Sequence, residues 1–351
     1  MVSMAIRDAF VEETPRSAEV AFVDQEVNID SGAVVDYGAT KANGSSHHGK
    51  SQQQFRTFLA DARFLCGHNL ISHDSHFIKD VLAELCLPND RLIDTLSLSP
   101  LLFPRKPYHA LLKDEKLLAD ELNNPLSDAI KAKDLFFDEV ASFEKLTGSM
   151  KSIYFLLLHS QPGFAGFFSW LGYQSKGDIV SLIKAEFESK LCGHADLTGF
   201  CRNNPVELAY CLANISTGDR YSMLPAWVDR TYPDAQRIMY HLRGKPCLEG
   251  CSYCIQTLDP HRGLKRHFGY DAYRTFDGQP LQEMAVRAAL EGKSLLAVFP
   301  TGGGKSVAFQ VPALVEAEST HALTVVISPL QSLMKDQVDN LDQVGIHEAV
   351  T

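Results

Sequence analysis

The sequence predicts an α/β chain, and three patterns carry that expectation. The apolar run Ser294-Leu-Leu-Ala-Val-Phe299 leads into Pro300-Thr-Gly-Gly-Gly-Lys-Ser306, which reads as a strand, a glycine turn and a helix start. The β-branched run Thr324–Ile327 does not alternate with polar residues, as expected of a buried parallel strand, and ends on Ser328-Pro329 before a second helical stretch. Near the front, Ala18–Val27 reads as a buried strand with Asp24 and Glu26 at i and i+2, hence on one face.

After that first strand, Ala42-Asn-Gly-Ser-Ser-His-His-Gly-Lys50 reads as a flexible polar loop. A second apolar strand follows in Phe64-Leu-Cys-Gly-His-Asn-Leu-Ile-Ser-His-Asp74, and Leu92-Ile-Asp-Thr-Leu precedes a short helix. Asn124-Pro-Leu-Ser-Asp128 opens a longer one. These motifs, with Asp24/Glu26, Gly67-His-Asn with Asp74, and Asp128 in order, resemble the DnaQ-like (DEDD) 3′–5′ exonuclease family. The resemblance implies an RNase H-like exonuclease fold over residues 1–140, with Asp24, Glu26, Asp74 and Asp128 as catalytic carboxylates and Asp24, Glu26 and Asp128 on Mg²⁺ or Mn²⁺. Carboxylates in that number suit hard cations, which take oxygen ligands, and two-metal hydrolysis of a phosphodiester. The family's general base is a histidine five residues, or a tyrosine four residues, before the last aspartate; here those positions are Asn123 and Asn124. An amide does not accept a proton at neutral pH, so the alternative is a nucleic-acid-binding module with an inactive nuclease fold. His109 is either a substitute base or a packing residue, and His73 and His76 flank Asp74 as structural side chains.

Residues 141–245 carry helical spacing, as in Ile179–Phe187 and Pro205–Ala213, and read as a helical connector with an aromatic turn at Gly163–Tyr173. Cys247, Cys251 and Cys254 crowd three thiols into residues 246–263, a spacing suited to Zn²⁺ or an iron–sulfur cluster. Cys201, Cys211, His241 and His261 are all open as a fourth ligand, and free reduced thiols are the alternative. Arg262, Lys265 and Arg266 read either as phosphate contacts or as a solvated face.

In the last stretch, 264–351, the glycine turn suits a polyphosphate: successive N–H groups converge where no Cβ blocks the approach, and the helix N-terminus adds positive charge. Lys305 would reach the β- and γ-phosphates and Ser306 would ligate Mg²⁺. Pro-Thr-Gly-Gly-Gly-Lys-Ser, Val325-Val-Ile-Ser-Pro-Leu-Gln-Ser-Leu-Met-Lys-Asp-Gln-Val338 and Phe268-Gly-Tyr-Asp-Ala-Tyr-Arg274 with Gln282 resemble motifs I, Ia and 0 of RecQ-like DNA helicases. The resemblance implies an incomplete RecA-like P-loop domain that binds ATP through Thr301, Gly302, Gly303, Gly304, Lys305, Ser306 and Gln282, with Gln279 the rival for the adenine contact. It also implies contacts to single-stranded or 3′-tailed DNA at Ser328, Ser332 and Lys335, and 3′–5′ unwinding in repair or recombination. The chain is expected to stop inside the motor, without Walker B or a second motor domain, and so not to unwind alone.

The net charge of −10 argues against nonspecific nucleic-acid binding, and residues 1–140 hold most of it, with 14 Lys and Arg against 22 Asp and Glu. Carboxylates that hold cations can still meet DNA through them, so the charge leaves the nuclease reading intact. No apolar run is long enough to span a bilayer and Met1–Val20 lacks an apolar core; with eight cysteines this reads as a reducing cytoplasm and no membrane partner.

Overall fold

A computed structural model describes residues 19–28, 30–106, 108–111, 124–219, 222–300, 302–347 and 349–350. Asn123 and Thr301, and most of the Met1–Val20 stretch, lie outside the described residues. The chain divides into two compact units: 1–186 with 201–217 and 223–232, and 187–200 with 218–222 and 233–351. The expected boundary at 140 falls inside the continuous helix Pro125–Glu144, and the first unit runs on to residue 186 before the chain crosses to the second.

The first unit is built on a mixed sheet of β1 (Val20–Val27), β2 (Val34–Lys41), β3 (Ser46–Gly49), β4 (Phe64–Gly67) and β5 (Leu92–Asp94), in the order β3-β2-β1-β4-β5. β2 pairs antiparallel with both β1 and β3, while β4 pairs parallel with β1 and β5 parallel with β4. The polar stretch expected as a loop therefore carries a strand. His47 in β3 stacks on Phe58 at 5.9 Å, and His48 meets Asp36 at 2.8 Å.

The helices of this unit include α1 (Gln52–Leu59), α2 (Lys79–Glu84), α3 (Thr95–Leu102), α4 (Pro125–Glu144), α5 (Gly148–Leu158), α6 (Ala165–Leu171), α7 (Ile179–Glu186) and α8 (Pro205–Ser216). Strand parity divides the core. Ala21, Val23 and Ala39 meet Phe55 and Leu59 of α1 on one face. Phe22 faces α4 on the other, 5.6 Å from Phe136 and 6.0 Å from Phe137. The expected aromatic turn is instead the helix α6, whose Trp170 meets Phe136 edge-on at 4.9 Å.

The second unit contains α9 (Pro260–Phe268), α10 (Leu281–Leu290), α11 (Lys305–Thr320) and α12 (Gln331–Gln343). Asp259 caps α9 by accepting from the Arg262 N–H at 2.9 Å. Leu264, Val286, Leu290, Val311 and Val315 form the core between α9, α10 and α11. Ser294–Phe299 and Thr324–Ile327 are not strands here, contrary to their apolar pattern: neither pairs with another described segment, and Leu296 and Ile327 are 91% and 93% exposed. A strand is stabilised through its ladder neighbours, so an apolar run without one stays extended and solvated. Among the described residues no helix is long and apolar enough to cross a membrane.

Candidate functional sites

The phosphate loop takes its shape from its glycines. Gly302 and Gly304 have φ of 74° and 69°, values that favour glycine, and Gly304 caps α11. Lys305 and Ser306 therefore open the first turn, where backbone N–H groups are unpaired and the helix end is positive; Lys305 is exposed. Gln282 is buried beside the loop. Its Nε2 donates to the Gly304 carbonyl at 2.8 Å, while its Oε1 accepts the Arg274 N–H at 2.9 Å. Arg274 adds a hydrogen bond from its guanidinium to the Gly302 carbonyl at 2.7 Å. Gln279 instead closes a tight turn, exchanging backbone hydrogen bonds with Phe276.

Sequence reasoning missed a second contact to this loop. Gln337 of α12 donates to the Ser306 hydroxyl at 3.0 Å and accepts from Gln310 at 2.8 Å. Its signal was its position in the motif after Ser328-Pro329. Ser332 and Lys335 are exposed and one turn apart on α12, and the Ser328 hydroxyl is buried without a hydrogen-bond partner. Lys265 and Arg266 pair with Asp271 at 2.9 Å and Glu318 at 2.5 Å, which favours the solvated-face reading for those two.

In the first unit, Asp24 and Glu26 share the parity of Phe22 and so project toward the α4 side. Asp24 is the register partner of Gly38. A Cβ on Gly38 would lie 2.1 Å from the Leu126 N and the Pro125 carbonyl carbon, so this glycine seats the first turn of α4 directly on the sheet. Asp128 occupies that turn, with the Lys131 ammonium 3.7 Å away. Asn124 is the N-cap, its side-chain oxygen accepting from the Leu126 and Ser127 N–H groups at 3.1 and 3.2 Å. Of the two positions where a general base was expected, Asn124 is thus a helix cap.

Asp74 is buried, and one carboxylate oxygen has no hydrogen-bond partner. Burial, then the Asp24 charge, pushes its carboxyl up to about 8. Asp94, which sequence reasoning passed over, shapes the turn leading to it. Its carboxylate accepts from the Asn69, Ile71 and Leu96 N–H groups, each at 3.0 Å. An aspartate closing a strand immediately before a helix was the available signal. His109 is buried against the Ser99 hydroxyl at 2.8 Å, and burial lowers its imidazole to about 4; this is the packing role of the two expected.

Among the described residues, the group that brings three or more possible metal ligands within 4.8 Å of one another is Cys192, His194, Cys247 and Cys251. Asp24, Glu26, Asp74 and Asp128 are not gathered that closely. Cys254 is outside that group but borders it: like Cys192 it is buried in the core with Leu258 and Leu264, its sulfur lies 4.0 Å from the Lys245 carbonyl, and its thiol interacts with those of Cys192, Cys247 and Cys251. Cys201, Cys211, His241 and His261 are also outside it, and His261 pairs with Glu283 at 3.1 Å. The completing Cys192-Gly-His194 was missed because it lies far upstream.

Residues 279–351 match the DEAD/DEAH box helicase family model. The chain is similar to the ATP-dependent helicase SGS1 of Saccharomyces cerevisiae, 54% identical over 63 residues, which are 18% of this chain and 4% of the relative. It is 47% identical over 87 residues to the ATP-dependent DNA helicase RecQ of Bacillus subtilis, 24% of this chain and 13% of the relative. To the ATP-dependent DNA helicase Q4 of Mus musculus it is 51% identical over 73 residues, 21% and 6% respectively. The match thus spans a small fraction of each of these relatives. No solved structure matches.

Proposed function

We propose that the chain carries the nucleotide-binding entrance of a RecQ-like ATP-dependent DNA helicase, preceded by a DnaQ-like nuclease-fold domain. The observation that carries the motor reading is the pair of side chains, Gln282 and Arg274, fastened to the carbonyls of the loop that contains the helicase-like motif. That arrangement couples the segment before α10 to the phosphate cradle. Gly302, Gly303 and Gly304 would present N–H groups to the phosphates, and Lys305 would neutralise them. Mg²⁺ bound with the nucleotide would be held by Ser306 and would balance the phosphate charge. Ser328, Ser332 and Lys335 would meet the DNA backbone, and the complete protein would unwind 3′ to 5′ in repair or recombination. Titrating the chain with a fluorescent ATP analogue tests the reading. Saturable binding lost in Lys305→Ala supports it; binding indifferent to that change defeats it.

For the first unit, support comes from Asp24 and Glu26 on the α4 side, Asp128 in the turn seated over the Asp24 register partner, and the unpartnered Asp74 oxygen. This oxygen-rich donor set fits Mg²⁺ or Mn²⁺. Asp24, Glu26, Asp74 and Asp128 would hold the ions, which when bound supply water activation and leaving-group stabilisation. A second reading, binding without turnover, is favoured by Asn124, whose side-chain oxygen is already committed to the helix cap. Labelled single-stranded DNA with Mn²⁺ separates the two. Loss of 3′ nucleotides that disappears in Asp24→Ala marks a nuclease, and intact but bound DNA marks the binding module.

A further inference from the structure

We propose that Cys192, His194, Cys247 and Cys251 form a closed structural Zn²⁺ site that staples the Cys192–His194 segment to the Cys247–Cys251 turn. Four donor atoms within 4.8 Å of one another suit a tetrahedral ion, since sulfurs about 2.3 Å from zinc stand about 3.8 Å apart. His194 Nδ1 lies 3.4 Å from Cys247 Sγ, so this ring nitrogen faces the cluster. Its other nitrogen, Nε2, is 2.5 Å from the Glu249 carboxylate. That is the outer contact expected of a metal-bound imidazole, in which the distal N–H donates to a carboxylate and fixes the tautomer and ring orientation.

The sulfurs are also placed as thiolate ligands. The Cys251 N–H donates to Cys247 Sγ at 3.2 Å and the Gly193 N–H to Cys251 Sγ at 3.4 Å. All eight cysteines are free, so no disulfide competes for these sulfurs. Three thiolates and an imidazole select zinc among the divalent ions and leave no open position, which makes the site structural. A cubane iron–sulfur cluster asks for four thiolates; the Cys254 thiol also reaches those of Cys192, Cys247 and Cys251, and it is the His194 ring, facing Cys247 and held by Glu249, that assigns the fourth position to nitrogen. Cys192 and Cys254 belong to the same core cluster as Leu264, Val286, Val311 and Val315, so the staple borders the core on which the phosphate-loop helix α11 rests.

The test is metal analysis of the full 351-residue chain purified with zinc in the medium, joined to zinc X-ray absorption. The expected result is one zinc per chain in a shell of three sulfurs at about 2.3 Å and one nitrogen at about 2.0–2.1 Å. Cys192→Ser, His194→Ala and Cys247→Ser should each lower zinc retention tenfold or more, on the order expected for a lost ligand, while Cys254→Ser keeps it. A ligand variant that fails to fold would also lose metal, so the wild-type scattering shell decides by itself. A zinc-free chain after reconstitution, iron with acid-labile sulfide, or a four-sulfur shell lost in Cys254→Ser would each overturn the proposal.

Discussion

The Gln282 side chain spans two backbone groups: its Nε2 reaches the Gly304 carbonyl at 2.8 Å and its Oε1 takes the Arg274 N–H at 2.9 Å. Both ends of a single buried amide are therefore occupied, and the residue expected to read adenine is committed in this structure to the phosphate loop. A Cβ on Gly304 would sit 2.7 Å from Gln282 Nε2, which would have to shift and give up its hydrogen bond, and the φ of 69° is itself strained for any side chain. The loop and the segment before α10 are held to one another by that amide.

Gln282→Ala should therefore weaken binding of a fluorescent ATP analogue. The change leaves a carbonyl and an N–H without their partner, a loss of about 1–3 kcal/mol, or roughly 5- to 150-fold in affinity if the loop loses its shape. Gln279→Ala should shift binding by no more than about twofold, since the hydrogen bonds at Gln279 come from its backbone. Equal effects of the two changes would reject the clamp.

Gly38→Ala should destabilise the first unit. Its Cβ would overlap the Leu126 nitrogen, and main chain at a helix start cannot move aside as a flexible side chain does. Displacing α4 costs about 1–3 kcal/mol in overpacking, and it would carry Asp128 away from the sheet. Trp170 and Trp227 are the two tryptophans of the chain and both lie in the first unit, so urea unfolding followed by tryptophan fluorescence reports that unit alone. Gly148→Ala is the matched control, because nothing lies within 4 Å of its Cβ position.

What was legible in the sequence divides by range. The glycine turn and its helix were readable because a phosphate cradle is contiguous, and positive φ at Gly302 and Gly304 needs only local chemistry. The order of Asp24, Asp74 and Asp128 along the chain was also readable, but their spacing in space depends on how β1, the turn after β4 and α4 pack. Strand formation was misjudged at Ser294–Phe299 and Thr324–Ile327 because β-branched composition describes a suitable strand and says nothing of its neighbours. The same limit hid Cys192 and His194, whose partners Cys247 and Cys251 are distant in sequence.

The unpaired apolar segments of the second unit should promote self-association. Leu296, Leu323 and Ile327 are 91%, 83% and 93% exposed, and exposed apolar chain outside any sheet associates readily with another copy. Replacing Leu296 and Ile327 by serine should lower the associated fraction in sedimentation velocity at fixed concentration. The monomer's unfolding free energy should change little, by under about 0.5 kcal/mol per site, because side chains already in water lose no burial. A large drop in stability would show that these residues pack in solution.

The Asp74 carboxyl is raised from 3.8 to about 8, first by burial and next by the Asp24 charge. Between those values the folded chain keeps a proton that the unfolded chain has released. The associated stability is full below about 4 and is lost as pH rises to about 8. Wild type should therefore lose stability relative to Asp74→Asn across that window, with a slope approaching 1.4 kcal/mol per pH unit for one proton. Comparing the two by tryptophan-monitored urea unfolding cancels the histidines and the other buried acids, which both proteins share. Added Mn²⁺ at pH 8 should restore the wild type more than the asparagine variant, because a cation replaces the proton in offsetting the repulsion between Asp74 and Asp24. Parallel pH curves for the two proteins would mean that Asp74 is ionised in the folded state at neutral pH. A metal response that persists in Asp74→Asn would place the cation elsewhere.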